Sequence, residues 1–122
     1  MNKTTDSRRQ KQVASELQHQ LSLIFTKEGY STVQGCLVTI AGVKITPDLL
    51  IVKIYLSFLN PPEGVNMINH FFDKKGDIRH KLGQQMKHLR RIPELEFFSD
   101  KTLDEVYRVE QLLQSITTDT TH

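Results

Sequence analysis

Residues 36–59 read CLVTIAGVKITPDLLIVKIYLSFL, and their pattern is the clearest indication of the fold. Its first half is rich in β-branched residues, and Gly42 inside it is typical of a strand that carries a bulge or a close backbone approach. In residues 52–58, apolar side chains recur at every second position, which is the period of a strand that buries one face. Thr46-Pro47-Asp48 between the two halves is a turn signal. The stretch therefore predicts a β-hairpin.

Helical patterns flank this hairpin on both sides. Upstream, apolar residues recur at helical spacing from about Asp6 to Lys27, and Gly29 is the expected stop. Downstream, Asn60–Gly64 closes the second strand, because its consecutive prolines remove two hydrogen-bond donors from the ladder. A helix follows, and we expect Gly76 to break or kink it. A second helix then continues to about Arg91.

A short third strand and a last helix complete the pattern. Alternation over residues 95–98 predicts the strand, in which Phe98 is the one aromatic side chain expected to be exposed, while Phe71, Phe72 and Phe97 are expected in the core. This order of elements predicts an α+β domain with helices packed on one face of a three-stranded sheet. Without the last helix it matches the type II KH arrangement, a nucleic-acid-binding fold. KH domains normally carry a GXXG loop between paired helices, and only Gly76 occupies that place here.

The basic residues are concentrated in one segment. Residues 74–91 carry seven Lys or Arg against one acid, and since the whole chain has a formal net charge of +2, everything outside this segment sums to −4. Residues 94–110 carry six acids against two basic residues. Such a dipolar layout fits oriented contact with a phosphate backbone. An ordinary solvated helix face fits the same charges.

Length and composition bound the class of protein. A chain of 122 residues with 38% hydrophobic content suits one compact domain. No apolar run approaches the ~20 residues that span a bilayer, and the N-terminal residues lack the apolar region of a signal peptide. The single Cys36 excludes an intramolecular disulfide and fits a reducing compartment. We therefore expect a cytoplasmic protein without a membrane partner.

Patterns for catalysis or metal binding are weak. Cys36 lies in an apolar segment with no His nearby in sequence, so a buried structural thiol is favoured over a nucleophile. His70, His80 and His88 do not repeat at i, i+4 on an uninterrupted helix, which argues against a metal site. The chain has no P-loop, dinucleotide fingerprint or nucleophile elbow. We expect no enzymatic activity, no cofactor, no metal and no small-molecule substrate.

Several motifs, taken together, resemble the ribosome-binding factor A family. They are Thr46–Leu49 with Val52–Leu59, Gly76–Arg79 with Leu82-Gly83, and Leu89–Phe97 with Asp100. The resemblance covers about residues 7–115 and implies a type II KH-like fold in which an Ala-x-Gly interhelical kink replaces GXXG. Lys74 stands where the family usually has Ala. The resemblance also implies binding to the small ribosomal subunit late in its assembly, near the terminal helix at the start of its rRNA, with help to rRNA maturation and to growth in the cold.

The resemblance and the charges predict the residues that contact RNA. They are Arg8, Arg9, Lys74, Lys75, Gly76, Arg79, Lys87, Arg90 and Arg91. Arginine suits bidentate phosphate contact and stacking on bases, and Gly76 lets backbone approach closely. Arg8 and Arg9 lie at the positive end of the first helix dipole, so local structure stabilises them little. Either they contact RNA, or they are solvated at the N-terminus of the helix.

We interpret the chain as a monomeric assembly factor that binds the rRNA of free, immature small ribosomal subunits. Residues 7–115 are expected to form the KH-like ribosome-binding domain, between a flexible N-terminus (1–6) and a flexible C-terminal tail (116–122). The alternative is a protein-interaction module that contacts a ribosomal protein or a GTPase through an exposed β-edge or the last helix. Steep salt dependence of binding to naked rRNA supports the first, whereas binding that survives RNase treatment supports the second.

Overall fold

The computed structural model describes the backbone of residues 7–120 and the side chains of 7–101 and 105–113. Within these residues the elements are α1 (Arg8–Glu28), β1 (Thr32–Val33), β2 (Cys36–Ile45), β3 (Ile51–Leu59), α2 (Met67–Gln85), β4 (Glu94–Ser99) and α3 (Asp100–Thr120). The N-terminal segment 1–6 lies outside the described residues, and α3 covers most of the segment predicted as a C-terminal tail. The domain boundaries stay a prediction. None of the described helices is long and apolar enough to cross a membrane.

The predicted hairpin forms the middle of the sheet. β2 and β3 pair antiparallel, and their register shifts between Ile40 and Gly42, which confirms the bulge predicted at Gly42. β4 pairs parallel with β3, and the strand order is β1-β2-β3-β4. β1 is a fourth strand that was not predicted from the sequence. It is joined to β2 by Gln34-Gly35, both with positive φ, which is the backbone that a two-residue hairpin turn requires.

The core lies between one face of the sheet and the helices α1 and α2. The fully buried side chains of this core alternate along β3 and recur at helical spacing on the two helices: Val52, Ile54, Leu56, Leu17, Leu21, Phe71, Ile78 and Leu82. Gly29 ends α1 in the left-handed conformation, with φ 81°, as predicted. The helix, two strands, helix and parallel strand form an α+β, type II KH-like fold.

α3 lies against the opposite face of the sheet, so the helices do not all share one face as predicted. Tyr55 points away from the core by strand alternation, yet it is buried and stacks on Phe98 with ring centroids 5.5 Å apart. Beside it, Lys44 Nζ on β2 donates to Glu110 Oε1 on α3 over 2.7 Å. Because of this packing Phe98 is half-buried, and its predicted exposure is wrong.

α2 runs as one continuous helix through Gly76, in place of the two helices predicted on either side of it. Phe71 and Ile78 on the two sides of Gly76 are both fully buried, seven residues apart, which is two helical turns. An unbroken helix keeps both side chains in the core, and this burial outweighs the cost of about 1 kcal/mol for an internal glycine. α2 then ends at Gln85, earlier than the predicted end near Arg91.

Candidate nucleic-acid interface

Residues 86–93 form the loop between α2 and β4, which we call the basic loop. Met86 and Pro93 are buried at its two ends. Lys87, Arg90 and Arg91 between them are exposed. The apolar ends therefore hold the loop against the core while three predicted RNA-binding side chains face outward.

Arg79 ties the basic loop to α2. Its Nη2–H donates to the Ile92 carbonyl oxygen over 2.7 Å, and its Nε–H donates to the Pro93 carbonyl oxygen over 3.1 Å. The guanidinium also lies 3.6 Å from Glu94 Oε1. Arg79 was predicted to be a direct RNA ligand, whereas here two of its N–H groups hold protein carbonyls. Its contact with RNA stays a prediction, but its position makes it a residue that shapes the loop.

Gln10 attaches the first turn of α1 to the end of β2. Ser7 Oγ accepts from the Gln10 backbone N–H over 3.1 Å, and Gln10 Oε1 accepts from the Ser7 N–H over 2.9 Å, which is a capping box. The Gln10 Nε2–H then donates to the Ile45 carbonyl oxygen at the end of β2 over 3.0 Å, in a buried contact. Gln10 was not among the predicted site residues. The signal that could have found it is a Ser with a Gln three residues later at a helix start.

Two segments far apart in the chain thereby form one surface, which we call the basic surface. It consists of the exposed side chains Arg8, Arg9 and Lys11 of α1 and Lys87, Arg90 and Arg91 of the basic loop. Arg9 lines the same cavity as Arg90 and Arg91. Glu16 Oε1 of α1 lies 2.9 Å from His88 Nε2 of the loop. The structure therefore groups four of the predicted arginines with Lys87, in an arrangement that a polyanion would fit.

A groove, the α2 groove, borders this surface. It has a volume of about 510 Å³ and is lined by Gly76, Arg79, His80, Gly83, Gln84, Lys87 and Ile92. A Cβ at Gly76 would meet nothing within 4 Å, and one at Gly83 would meet only Ile92 Cγ1 at 3.5 Å. The backbone of α2 is therefore open to close approach at both glycines. Lys87 belongs to both the groove and the basic surface.

An exposed aromatic side chain stands one helical turn before Gly76. Phe72, predicted to be core, is 58% exposed, because Phe71 takes the core position and the next residue lies about 100° further round the helix. Lys75 Nζ lies 4.1 Å from the centroid of the Phe72 ring, in a cation–π contact, and Lys74 is exposed. Aromatic side chains of this kind stack on unpaired bases. Phe72 is thus a candidate site residue, although its spacing in the sequence predicted a place in the core.

A polar network on the other side of Gly76 joins α1 to α2. Asp77 Oδ2 accepts from Lys81 Nζ over 2.7 Å and from Tyr30 Oη over 3.1 Å, and Lys81 Nζ also lies 2.9 Å from Glu28 Oε1. The bonds from Lys81 and then Tyr30 hold the pKa of Asp77 below its usual value. Burial, followed by the bond to Asp77, raises the pKa of Tyr30. Lys81 is therefore engaged with acids of the protein itself, whereas no ion pair joins Lys74 or Lys75 to an acid among the described residues.

The described residues contain no group of three or more His, Cys, Asp or Glu side chains placed to hold a metal ion. Cys36 is a buried free thiol. The groups that the basic surface and Phe72 present are cations and an exposed aromatic ring, which are able to bind anions and to stack on bases.

The chain is similar to known proteins over most of its length. Residues 9–113 match the family model of ribosome-binding factor A. A ribosome-binding factor A from Chlorobium luteolum is 41% identical over 115 residues, which cover 93% of this chain and 95% of the relative. The protein of that name from Chlorobium chlorochromatii is 41% identical over 112 residues, covering 90% of this chain and 89% of the relative.

Two structures of the factor from Thermus thermophilus share the fold. The crystal structure superposes with a TM-score of 0.62 at 18% identity, covering 74% of this chain and 94% of that one. A homology model fitted into a cryo-EM map of a 30S complex with the factor superposes with a TM-score of 0.59 at 18% identity, covering 71% of this chain and 90% of that one. Since the family model spans most of the sequence and relatives at 41% identity match over nearly their whole length, this chain belongs to the ribosome-binding factor A family.

Proposed function

We propose that this protein binds the rRNA of free, immature small ribosomal subunits and assists late maturation, rRNA processing and growth in the cold. It acts in the cytoplasm as a monomer and without catalysing a reaction. The observation that carries this proposal is the basic surface, where Arg9 of α1 meets Arg90 and Arg91 of the basic loop. The names of the relatives, and the 30S complex into which the Thermus homology model was fitted, support the choice of partner.

Counterion release supplies the free energy of such binding. Each phosphate that a Lys or Arg neutralises releases condensed counterions, so affinity falls steeply with salt. The basic surface provides phosphate contacts, and the α2 groove beside it lets an RNA backbone approach Gly76. Phe72, one helical turn before Gly76 on α2, is exposed and offers a face for stacking on a base. To assist maturation, the protein must bind the immature conformation of the subunit more tightly than the mature one.

The test is the salt dependence of binding to purified immature subunits. Arg90→Glu with Arg91→Glu is expected to weaken co-sedimentation and to flatten the log–log salt slope by roughly 0.7–0.9 per lost phosphate contact. Both side chains are exposed, so the thermal melt should be unchanged. A control with the same charge change, Lys101→Glu with Arg108→Glu, replaces exposed residues of α3 and should leave the slope intact. Equal loss in both double variants, or none in either, would reject the basic surface as the RNA contact.

A second candidate function is a protein-interaction module that contacts a ribosomal protein or a GTPase. The observation in its favour is the exposed apolar side of α3, where Val109 is 54% and Leu112 57% exposed. Substitution of both by Ser would then abolish association with subunits, and association would persist after RNase treatment. If RNA contact dominates, RNase abolishes association and the double Ser variant binds as the parent does.

A further inference from the structure

A small cavity opens on the basic surface where α1, the turn between β2 and β3 and the basic loop meet. Its volume is about 250 Å³, and apolar side chains that include Val13, Leu49 and Leu89 form its floor. Val13 is buried, and the two leucines are half-buried. Among the described residues, no aromatic side chain lines this cavity. It is distinct from the α2 groove, with which it shares no lining residue.

We propose that this cavity takes one unstacked base of a single-stranded RNA segment, with the phosphates on either side of that nucleotide bound by Arg9, Arg90 and Arg91. The inference rests on the proposed function and deepens it, because it specifies the kind of RNA element that the basic surface recognises. That element is an unpaired nucleotide turned away from its neighbours, as in a loop, a bulge or a strand end.

The size and the floor of the cavity fit a single base. Pockets for drug-sized ligands and cofactors span roughly 300–1,000 Å³, so a cavity just below that range suits one ring system. Its floor of Val, Leu and Ile side chains offers apolar contact to the faces of a planar ring and excludes water from them. A base that leaves the stack of its own strand exposes such faces, and the cavity covers them again.

The rim of the cavity fits the rest of the nucleotide. Arg9, Arg90 and Arg91 are all exposed and approach the cavity from two different elements. A guanidinium group binds a phosphate in a bidentate manner and also stacks on a base plane. Three of them around an apolar floor match a ligand that is apolar in the middle and anionic at both ends. An uncharged apolar ligand would leave these charges without a counterpart.

Asp48 allows the cavity to discriminate between bases. Its Oδ1 accepts from Thr46 Oγ1–H over 2.6 Å and from the Leu50 N–H over 3.1 Å, and neither bond uses Oδ2. The bond from Thr46 and then that from Leu50 hold the pKa of this carboxyl below its usual value, so it is an anion at neutral pH. A carboxylate oxygen accepts from the amino groups of adenine, cytosine or guanine. Uracil presents its one N–H between two carbonyl oxygens that repel a carboxylate, so it is disfavoured.

The turn that carries Asp48 is fixed before any ligand binds. Thr46 and Ile51 are joined by a backbone hydrogen bond of 3.0 Å, and the Glu94 N–H donates to the Leu50 carbonyl oxygen over 2.8 Å. Leu49 adopts a positive φ of 62°, a conformation that a non-glycine residue keeps only where its surroundings hold it. The wall of the cavity is therefore preorganised, which lowers the entropy cost of binding.

The experiment is an NMR titration of the ¹⁵N-labelled full chain with adenosine 3′,5′-bisphosphate, which carries one base and both flanking phosphates. Amide shifts are expected to cluster at residues 48–50 and 89–91 and at Arg9. Ribose 3,5-bisphosphate, which keeps both phosphates and lacks only the base, should bind at least about fivefold more weakly. If ribose 3,5-bisphosphate gives the same shifts with the same affinity, the cavity holds phosphates only and the base site is rejected. Shifts spread evenly over the basic surface reject it as well.

A matched pair of variants separates the cavity from general electrostatics. Arg9 and Arg108 are both exposed, but only Arg9 lines the cavity, and Arg108 on α3 lies outside the basic surface. Arg9→Gln should weaken bisphosphate binding by about fivefold, whereas Arg108→Gln should change it by less than about twofold. Equal effects of the two substitutions would overturn the proposal. Asp48→Asn should bring the preference for adenosine over uridine bisphosphate, expected at about fivefold or more, close to unity.

Failure of this inference is distinguishable from failure of the proposed function. If the parent protein co-sediments with immature subunits but the bisphosphate does not bind in the cavity, the proposed function is supported and the base site is rejected. If the bisphosphate binds in the cavity but the parent protein does not bind subunits, the nucleotide site is supported and the proposed partner is rejected.

Discussion

Gly76→Ala is the substitution whose outcome the structure predicts most directly. Gly76 lies inside the continuous helix α2, its φ is not positive, and an added Cβ would meet nothing within 4 Å. Replacing an internal helical glycine by alanine then stabilises the fold by roughly 0.8–1 kcal/mol, with no steric cost to subtract. For a domain of this size, that corresponds to a rise of about 3–5 °C in Tm.

Thermal melts and urea titrations of the variant measure this change. Gly29→Ala is the matched control, because Gly29 has a φ of +81° that alanine adopts only with strain, so its Tm should fall. A Gly76→Ala variant that melts below the parent would refute the reasoning, since it would mean that the backbone at Gly76 is not helical.

The same variant tests the α2 groove as an RNA contact. If RNA backbone approaches Gly76, the new methyl group lowers affinity for immature subunits while stability rises. Gly83→Ala places a methyl group further along the groove, in ordinary contact with Ile92 Cγ1 at 3.5 Å, and maps how far the contact extends. A Gly76→Ala protein that is more stable and binds as well as the parent would remove residues 74–76 from the proposed functional centre.

Three further substitutions test contacts that position the site. Gln10→Ala removes the capping box and leaves the buried Ile45 carbonyl without its side-chain donor. The free energy of unfolding measured in urea should therefore fall by about 2 kcal/mol. The control Gln12→Ala, at an exposed position, should leave it unchanged. Arg79→Ala should lower the free energy of unfolding by only about 1 kcal/mol, because the side chain is partly exposed. It should also speed amide hydrogen exchange in the basic loop, because the Ile92 and Pro93 carbonyls lose their donors. If Arg79→Lys restores slow exchange fully, binding two carbonyls at once is not the role of Arg79. The lowered pKa of Asp77 means that its stabilising effect is present above about pH 4 and is lost as pH falls through the folded-state pKa. Asp77→Asn should therefore melt below the parent at pH 7, with the difference closing as pH falls through the folded-state pKa of Asp77, and a difference independent of pH would contradict this linkage.

Features that depend on neighbouring residues alone were readable from the sequence. Alternation along residues 52–58 predicts the buried face of β3, and Gly42 predicts the bulge, because both express the local geometry of a strand. Gly29 predicts the end of α1, because few other residues adopt its left-handed conformation at low cost. The motifs from Thr46 to Asp100 were enough to place the chain in its family.

Where several side chains were equally good candidates for the core, the sequence did not show which of them is buried. The preference of a glycine to break a helix is worth about 1 kcal/mol, which is less than the burial of two large side chains, so Gly76 stays helical between Phe71 and Ile78. The helical period placed both Phe71 and Phe72 near the core, but close packing admits only one of them, and Phe72 faces the surface.

The candidate site is formed by contacts between residues that lie far apart in the sequence. Nothing in the local sequence shows that Arg79 donates to Ile92 and Pro93, or that Arg9 lies beside Arg90 and Arg91. The identity of the basic residues and their concentration in residues 74–91 can be read directly from the sequence. Only the packing of α1 and α2 on the sheet decided which of them share a surface, because charge is a property of each side chain, whereas proximity is a property of the fold.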